Sequence, residues 1–273
     1  MVSNMKFEPK FNLDQLQIIK QFIAAKVIAA GAEGVVIGVS GGVDSAVVLK
    51  IVKLIYPAKK ISAVFLPEST TPVQDAKDAH VIAKDCKIEL IEIEIDNILK
   101  SYLNYTKFPK PEPIALGNLK ARVRMSILFL IANTQNRLVL GTSNKSELLL
   151  GYFTKYGDGA SDVAPLGDLF KTQVLKLAVY LKLPENIVTK PPTAGLVADQ
   201  TDEGELGLDY KTIDKILFGL ERDIPSAKLA DILGLEENEV ISIKERVERN
   251  RHKRKFPKIP KIGLKTIGVD LYE

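Results

Sequence analysis

The hexapeptide Ser40-Gly41-Gly42-Val43-Asp44-Ser45 has the residue types to hold a phosphate. It follows a short apolar, β-branched run, Val35–Val39, and precedes apolar residues at helical spacing, so it reads as strand, turn and helix. A glycine turn at a helix N-terminus offers an anion backbone N–H groups and the positive end of the helix dipole. Gly41 and Gly42 let a phosphate approach the backbone closely, and Ser40 and Ser45 add hydroxyl donors. Asp44 would repel a bare phosphate, but it can hold a cation such as Mg²⁺ that phosphate oxygens also bind. A tight turn with a capping Ser or Asp would use the same residue types. The stretch lacks the Gly-Lys-Ser/Thr of a nucleoside triphosphatase loop and is not Gly-x-Gly-x-x-Gly. The only cysteine is Cys86, which excludes an intramolecular disulfide and a cysteine metal cluster. With His80 and His252 the only histidines, a Ser-His-Asp constellation is not expected.

The elements that must position this loop alternate. Phe11–Ala30 has apolar residues three and four apart, with Asn12 as N-cap. Val35–Val39, Ile61–Pro67, Ile88–Ile95 and Arg137–Thr142 read as strands. Ala46–Leu54, Gln74–Asp85, Leu119–Ala132 and a segment starting near Asn144 read as helices, and "KFPKPEPIALGN" as a proline-punctuated connector. This order predicts a doubly wound α/β fold, a mainly parallel sheet flanked by helices. Ligands in such folds sit outside the carboxyl ends of the strands, where Ser40–Ser45 and Gly141–Glu147 both fall. After Gly151 the chain turns rich in Gly, Pro, Asp and Thr, which predicts functional loops near 151–168 and 193–206. A basic segment follows at 249–261.

"SGGVDS" resembles the pyrophosphate-binding loop of the N-type ATP pyrophosphatases, which cleave ATP between the α and β phosphates. "LGNLKARVRM", "GTSNKSELLLGYFTKYGDGASDVAPLGDLFKTQV", "PPTAGLVADQTDEGELGLDY" and "HKR" resemble, in order and spacing, the motifs of the NAD synthetase family. The likeness covers nearly the whole chain. It implies a Rossmann-like fold of the adenine nucleotide alpha hydrolase type, one domain over 1–273, and amidation of deamido-NAD⁺ to NAD⁺ with ATP and Mg²⁺. Glutamine-using members carry a large N-terminal nitrilase-like domain; this chain starts almost directly at the synthetase, so direct use of ammonia is expected. The alternatives are another ammonia-using ligase of the superfamily, a tRNA-modifying enzyme using the basic tail, or an inactive ATP-binding regulator.

The resemblance also assigns residues. Gly38, Val39 and Ser40–Ser45 form the ATP loop, with Thr142, Lys171 and Thr193 as further ATP contacts; Asp44 and Lys171 are the catalytic candidates. Asp44 and Glu147 are the Mg²⁺ carboxylates. Read alone, Asn144 and Glu147 have capping-box spacing, Thr142 ends a strand, and Lys171 starts an amphipathic helix as a solvated lysine. Arg122, Lys155, Asp162, His252 and Lys253 are the deamido-NAD⁺ candidates. Arg124, two residues from Arg122, points elsewhere on the helix; the sequence leaves open which of the two contacts substrate, with the structural reading stronger for Arg124. Asp202 and Glu203 lie in the second loop without an assigned role. By themselves Lys155 and Asp162 read as solvated turn residues, and His252-Lys253 as part of a basic tail.

Bulk composition is that of an ordinary globular chain: 273 residues, 46% hydrophobic, 26% charged, formal net charge +4. The mild charge fits an anionic substrate and gives little basis for nucleic-acid binding. No apolar run reaches the roughly 18 residues of a membrane helix, and the polar N-terminus does not resemble a signal peptide, so a cytoplasmic location is expected. "SILFLIA" makes helix Leu119–Ala132 apolar nearly all round. Together with the resemblance this predicts a homodimer with the dinucleotide across the interface, and neither a nucleic-acid nor a membrane partner.

Overall fold

The computed structural model describes residues 7–105, 111–191, 204 and 206–267. The four strands are β1 (Gly34–Gly38), β2 (Ile61–Phe65), β3 (Leu90–Glu92) and β4 (Arg137–Leu140). They form one parallel sheet in the order β3-β2-β1-β4. Register places Val35 beside Ile61 on one side and Leu138 on the other. The sheet is built outward from β1 in both directions, so its switch point lies between β1 and β4. In open α/β sheets the ligand crevice lies at such a point, outside the carboxyl ends of the strands.

Helices cover both faces, as alternation predicts. One face packs on α1 (Leu13–Ala29), α2 (Val43–Lys53), α3 (Val73–Asp85) and α7 (Lys171–Tyr180), in a cluster that includes Ile23, Ile37, Leu49 and Leu177. The other face packs on α4 (Asp96–Tyr105) and α5 (Pro113–Thr134), around Val36, Val64 and Val139. A third cluster joins α6 (Lys145–Leu150), α9 (Tyr210–Leu220), α10 (Ser226–Leu233) and α11 (Glu237–Arg249). A short α8 (Glu185–Val188) precedes Lys190. Because β1 and β2 are covered on both sides, they are buried nearly throughout rather than alternately, with Ser62 the one polar side chain in them.

Several boundaries move. Helix α1 starts at Leu13, where Asn12 and Gln15 make a reciprocal capping box. Strand β3 is shorter than Ile88–Ile95 because it is the sheet edge, though Ile93 and Ile95 N–H still donate to Phe65 and Pro67 carbonyls. The connector before Leu119 is partly helix: Pro113 opens α5, a position where its missing N–H costs nothing. Helix α4 was hidden by its weak apolar content. Helix α5 is not buried all round; its inner side lies on the sheet and Leu130 is 66% exposed. No helix among the described residues is long and apolar enough to cross a membrane.

Candidate active site

The glycine loop is tighter than its sequence suggests. Helix α2 begins at Val43, so Asp44 and Ser45 lie in its first turn and Gly42 is the N-cap, without a side-chain cap. The serine hydroxyls work inside the loop. Ser45 Oγ accepts from Ser40 N–H at 3.2 Å and donates to the Gly42 carbonyl at 3.0 Å; Gly42 N–H donates to Ser40 Oγ at 3.2 Å. Val39 N–H pairs with the Val64 carbonyl, fixing the loop's entry to the sheet. Gly41 has φ +82°, and a Cβ there would lie 2.3 Å from the Asp75 carbonyl oxygen, so glycine is required twice over. The result is a fixed turn that aims the first turn of α2 at the switch-point crevice.

Across the crevice, α6 starts just beyond β4. Asn144 caps it, and the capping box with Glu147 is present in both directions, at 3.1 and 3.2 Å. The cap does not exclude a site role, because each side chain has a second polar atom. Asn144 Nδ2 donates to Asp44 Oδ1 at 2.9 Å. Glu147 Oε1 meets Lys171 Nζ at 3.3 Å, and the same ammonium meets Asp44 Oδ2 at 2.5 Å. Lys171 is therefore not solvated: its side chain is 3% exposed, between carboxylates that are each 16% exposed. Three separate elements deliver one cation to two carboxylates. Thr142 stands half-buried between β4 and Asn144. Thr193, Asp202 and Glu203, and the second predicted loop apart from Gly204 and Leu206, lie outside the described residues.

A second layer holds this centre. Ser146 Oγ accepts from Lys171 N–H at 3.0 Å and donates to Asp214 Oδ1 at 2.5 Å, while Asp214 Oδ2 accepts from Thr172 N–H at 2.7 Å. Asp214 is fully buried; burial pushes its carboxyl pKa up, and the bonds from Ser146 and Thr172 oppose that. Tyr210, one turn earlier on α9, lies under the Lys171 ammonium, 5.7 Å from ring centroid to Nζ. None of Ser146, Tyr210 and Asp214 stood out in the sequence. The available signal was an aspartate inside the apolar stripe Ile213, Ile216, Leu217.

The dinucleotide candidates divide into two groups. Arg122 Nε and Nη2 donate to the Lys155 carbonyl at 3.4 and 3.3 Å, and Lys155 Nζ donates to the His252 carbonyl at 3.2 Å. These three residues, far apart in sequence, are thus brought together. The side chains of the other two join the framework. Asp162 Oδ2 accepts from Val139 N–H at 2.7 Å on the outer edge of β4, next to a parallel bridge between Leu140 and Val163. Lys253 Nζ donates to the Gly151 and Phe153 carbonyls at 2.6 and 3.0 Å. With Arg254 on the Leu148 and Leu149 carbonyls, it satisfies the C-terminal end of α6. The basic stretch is therefore only partly a solvated tail. Arg124 donates to the Leu66 carbonyl at 2.9 Å, and burial lowers its pKa, in keeping with a structural role. Glu68, just past β2, forms a buried ion pair with Lys120 that sequence reading missed.

Comparison with known proteins gives an independent view of the family. The NAD synthase family model matches residues 15–257. The NH(3)-dependent NAD(+) synthetase of Methanosarcina mazei is 41% identical over 248 residues, 89% of this chain and 96% of that protein. The structure of an NMN synthetase from Francisella tularensis aligns with a TM-score of 0.81 at 35% identity, covering 92% of this chain and 100% of that one. An NH3-dependent NAD synthetase from Campylobacter jejuni, in complex with the nitrate ion, aligns with a TM-score of 0.77 at 34% identity, over 91% and 98%. A glycine turn at the switch point, the Asp44–Lys171–Glu147 centre facing it and these full-length matches lead to one conclusion: the chain belongs to the NAD synthase family.

Proposed function

We propose that this chain is an ammonia-dependent NAD synthetase, a carbon–nitrogen ligase that amidates deamido-NAD⁺ at the cost of ATP. The observation that carries the reading is the convergence of Asp44, Glu147 and Lys171 beside a glycine turn, in a chain of this family. A carboxylate is a poor acyl donor because oxide cannot leave. The nicotinate carboxylate therefore attacks the α phosphorus of ATP, forming an acyl adenylate and releasing pyrophosphate. Ammonia attacks the activated carbonyl, AMP departs, and the extra proton on nitrogen is lost to give the amide. Neither step needs a protein nucleophile; both need positioning and charge neutralisation.

In this reading the first turn of α2 and the Gly41-Gly42 backbone receive the departing pyrophosphate, with Thr142 and Thr193 as further ATP contacts. Lys171, released from its carboxylates, carries its charge to the phosphates. Asp44 and Glu147 suit Mg²⁺, since both are hard oxygen donors and already share one cation. Among the described residues no group of three or more His, Cys, Asp or Glu forms a metal cage; Mg²⁺ commonly binds through one or two carboxylates plus phosphates. Bound there, it would neutralise charge on phosphate oxygens. Arg122, Lys155 and His252 provide a basic wall for the dinucleotide, with Asp162 and Lys253 able to contribute only if their framework bonds rearrange. Movement of the 151–168 segment over bound substrate belongs to the same proposal.

The outward side of α5, where Leu130 is exposed, supports a homodimer contact. Light scattering at micromolar concentration tests it, and a monomer would refute it. A cytoplasmic location is proposed with the activity. The activity test is incubation with ATP, Mg²⁺, ammonium and deamido-NAD⁺. NAD⁺, AMP and pyrophosphate are expected; ADP in place of AMP, or no product, would overturn the reading. A second reading, amidation of the mononucleotide, draws on the Francisella tularensis NMN synthetase neighbour. Running both acids side by side separates the two.

A further inference from the structure

Behind the glycine turn lies a charged network that the proposed reaction does not use. The turn rests on α3: the missing side chain of Gly41 leaves its backbone against the Asp75 carbonyl. The Asp75 carboxylate pairs with Lys190 Nζ at 2.5 Å, and the same ammonium pairs with Asp78 Oδ2 at 2.8 Å. Asp78 is fully buried, and its other oxygen accepts from Gln74 Nε2 and Asn186 Nδ2, each at 2.7 Å. Helix α3 has Pro72 as its N-cap and no side-chain cap, so its first turn lacks the usual local fastening. Lys190, delivered by the chain just beyond α8, supplies that fastening from the side.

We propose that Lys190 is a positioning residue for ATP: by clamping Asp75 to Asp78 it fixes the surface on which Gly41 rests, and so aims the glycine turn at the phosphates. Two consequences separate this from general support of the fold. The clamp acts on the residue that touches the turn, so its loss disturbs ATP before it disturbs the dinucleotide. The clamp also compensates Asp75, whose bare carboxylate beside the turn would disfavour an anion. The inference rests on reading the turn as the ATP phosphate site.

The test compares Lys190→Met and Lys190→Arg with wild type in the full chain. Steady-state rates are measured with ATP and deamido-NAD⁺ varied separately, ATP binding by calorimetry, and thermal unfolding in parallel. One lost hydrogen bond to a charged group corresponds to roughly a tenfold effect. The expected result is a KM and Kd for ATP raised about tenfold or more in the methionine variant, with KM for deamido-NAD⁺ and kcat nearly unchanged. The arginine variant should recover most of the loss. A folded methionine variant with wild-type ATP affinity overturns the proposal. So does an equal rise in both KM values that arginine does not rescue, which would mark general loosening of the fold. Should the methionine variant not fold, Lys190→Gln, which keeps a polar donor but removes the charge that pairs with Asp75 and Asp78, carries the same expectation of weaker ATP binding, and a folded glutamine variant with wild-type ATP affinity overturns the proposal. The wild-type control keeps the two readings apart: no AMP from wild type counts against the proposed activity, while calorimetric ATP binding still decides the role of Lys190.

Discussion

Replacing Lys171 by methionine keeps the apolar stem and removes the ammonium between Asp44 and Glu147. At separations of 2.5 and 3.3 Å each ion pair is worth, before desolvation, on the order of 5 kcal/mol at an effective dielectric near 20. Much of that offsets the cost of burying three charges, and measured losses on breaking a buried pair run to about 3–5 kcal/mol. Here the carboxylates keep some water and other partners: Asp44 holds Asn144, and Glu147 holds the α6 cap. We therefore expect a loss of about 2–4 kcal/mol for the ligand-free protein, and a Tm lowered by roughly 5–15 °C for a chain of this size. Turnover should fall at least about 10²-fold, as when one electrostatic donor to a transition state is removed. A third readout has a definite sign. Ammonium and Mg²⁺ compete for the same carboxylates, so Mg²⁺ without ATP should raise the Tm of the variant more than that of wild type. Differential scanning fluorimetry across a Mg²⁺ series, with an AMP-release assay, reads all three. Wild-type turnover, or a larger Mg²⁺ shift in wild type, would refute the reasoning.

Three other outcomes follow from the geometry. Asp214→Asn leaves one acceptor where Ser146 Oγ and Thr172 N–H need two; a loss of about 1–3 kcal/mol in urea unfolding is expected, with lower kcat because the α7 start carrying Lys171 is loosened. Cys86 is 2% exposed and burial pushes its thiol pKa up to about 11, so a disulfide reagent at pH 8 should label it only after denaturation; rapid labelling of native protein would contradict its packing. Burial works against the Lys145 charge, but the bonds it donates to Asp168 and Glu221 hold its pKa above the ordinary 10.5. A raised folded pKa means the stabilisation is complete below 10.5 and lost as pH rises through the folded value. The stability gap between wild type and Lys145→Met should therefore be constant from pH 7 to 9 and narrow in strong alkali; a gap that widened with pH would contradict the sign.

Sequence by itself determined the layout. Continuous apolar runs with helical spacing between them force strands buried on both faces, and hence the parallel sheet; the glycine hexapeptide after such a run marks where an anion can sit. These signals are local, so neighbours in sequence suffice to read them. Boundaries were less legible where position in the fold overrides pattern: β3 is trimmed because it is the sheet edge, and α5 begins at a proline that reads equally well as a connector. Asn144 and Glu147 show the limit most clearly. Spacing gave the cap, and the family resemblance gave Glu147 as a metal ligand; the structure makes the cap and turns the other Glu147 oxygen to Lys171 and Asn144 Nδ2 to Asp44.

What only the tertiary structure decided is which charges meet. Asp44 and Lys171 are 127 residues apart, and Lys190 and Asp75 are 115; no periodicity or spacing rule reaches across such gaps. Nor could local pattern tell that Lys171 is buried, that Asp162 and Lys253 are bound into the framework, or that an aspartate on α9 holds the start of α7. The physical reason is that a side chain's charge is given by its type, but its solvation and partners are set by whatever the fold packs against it, and at this site those are three separate elements converging on one crevice.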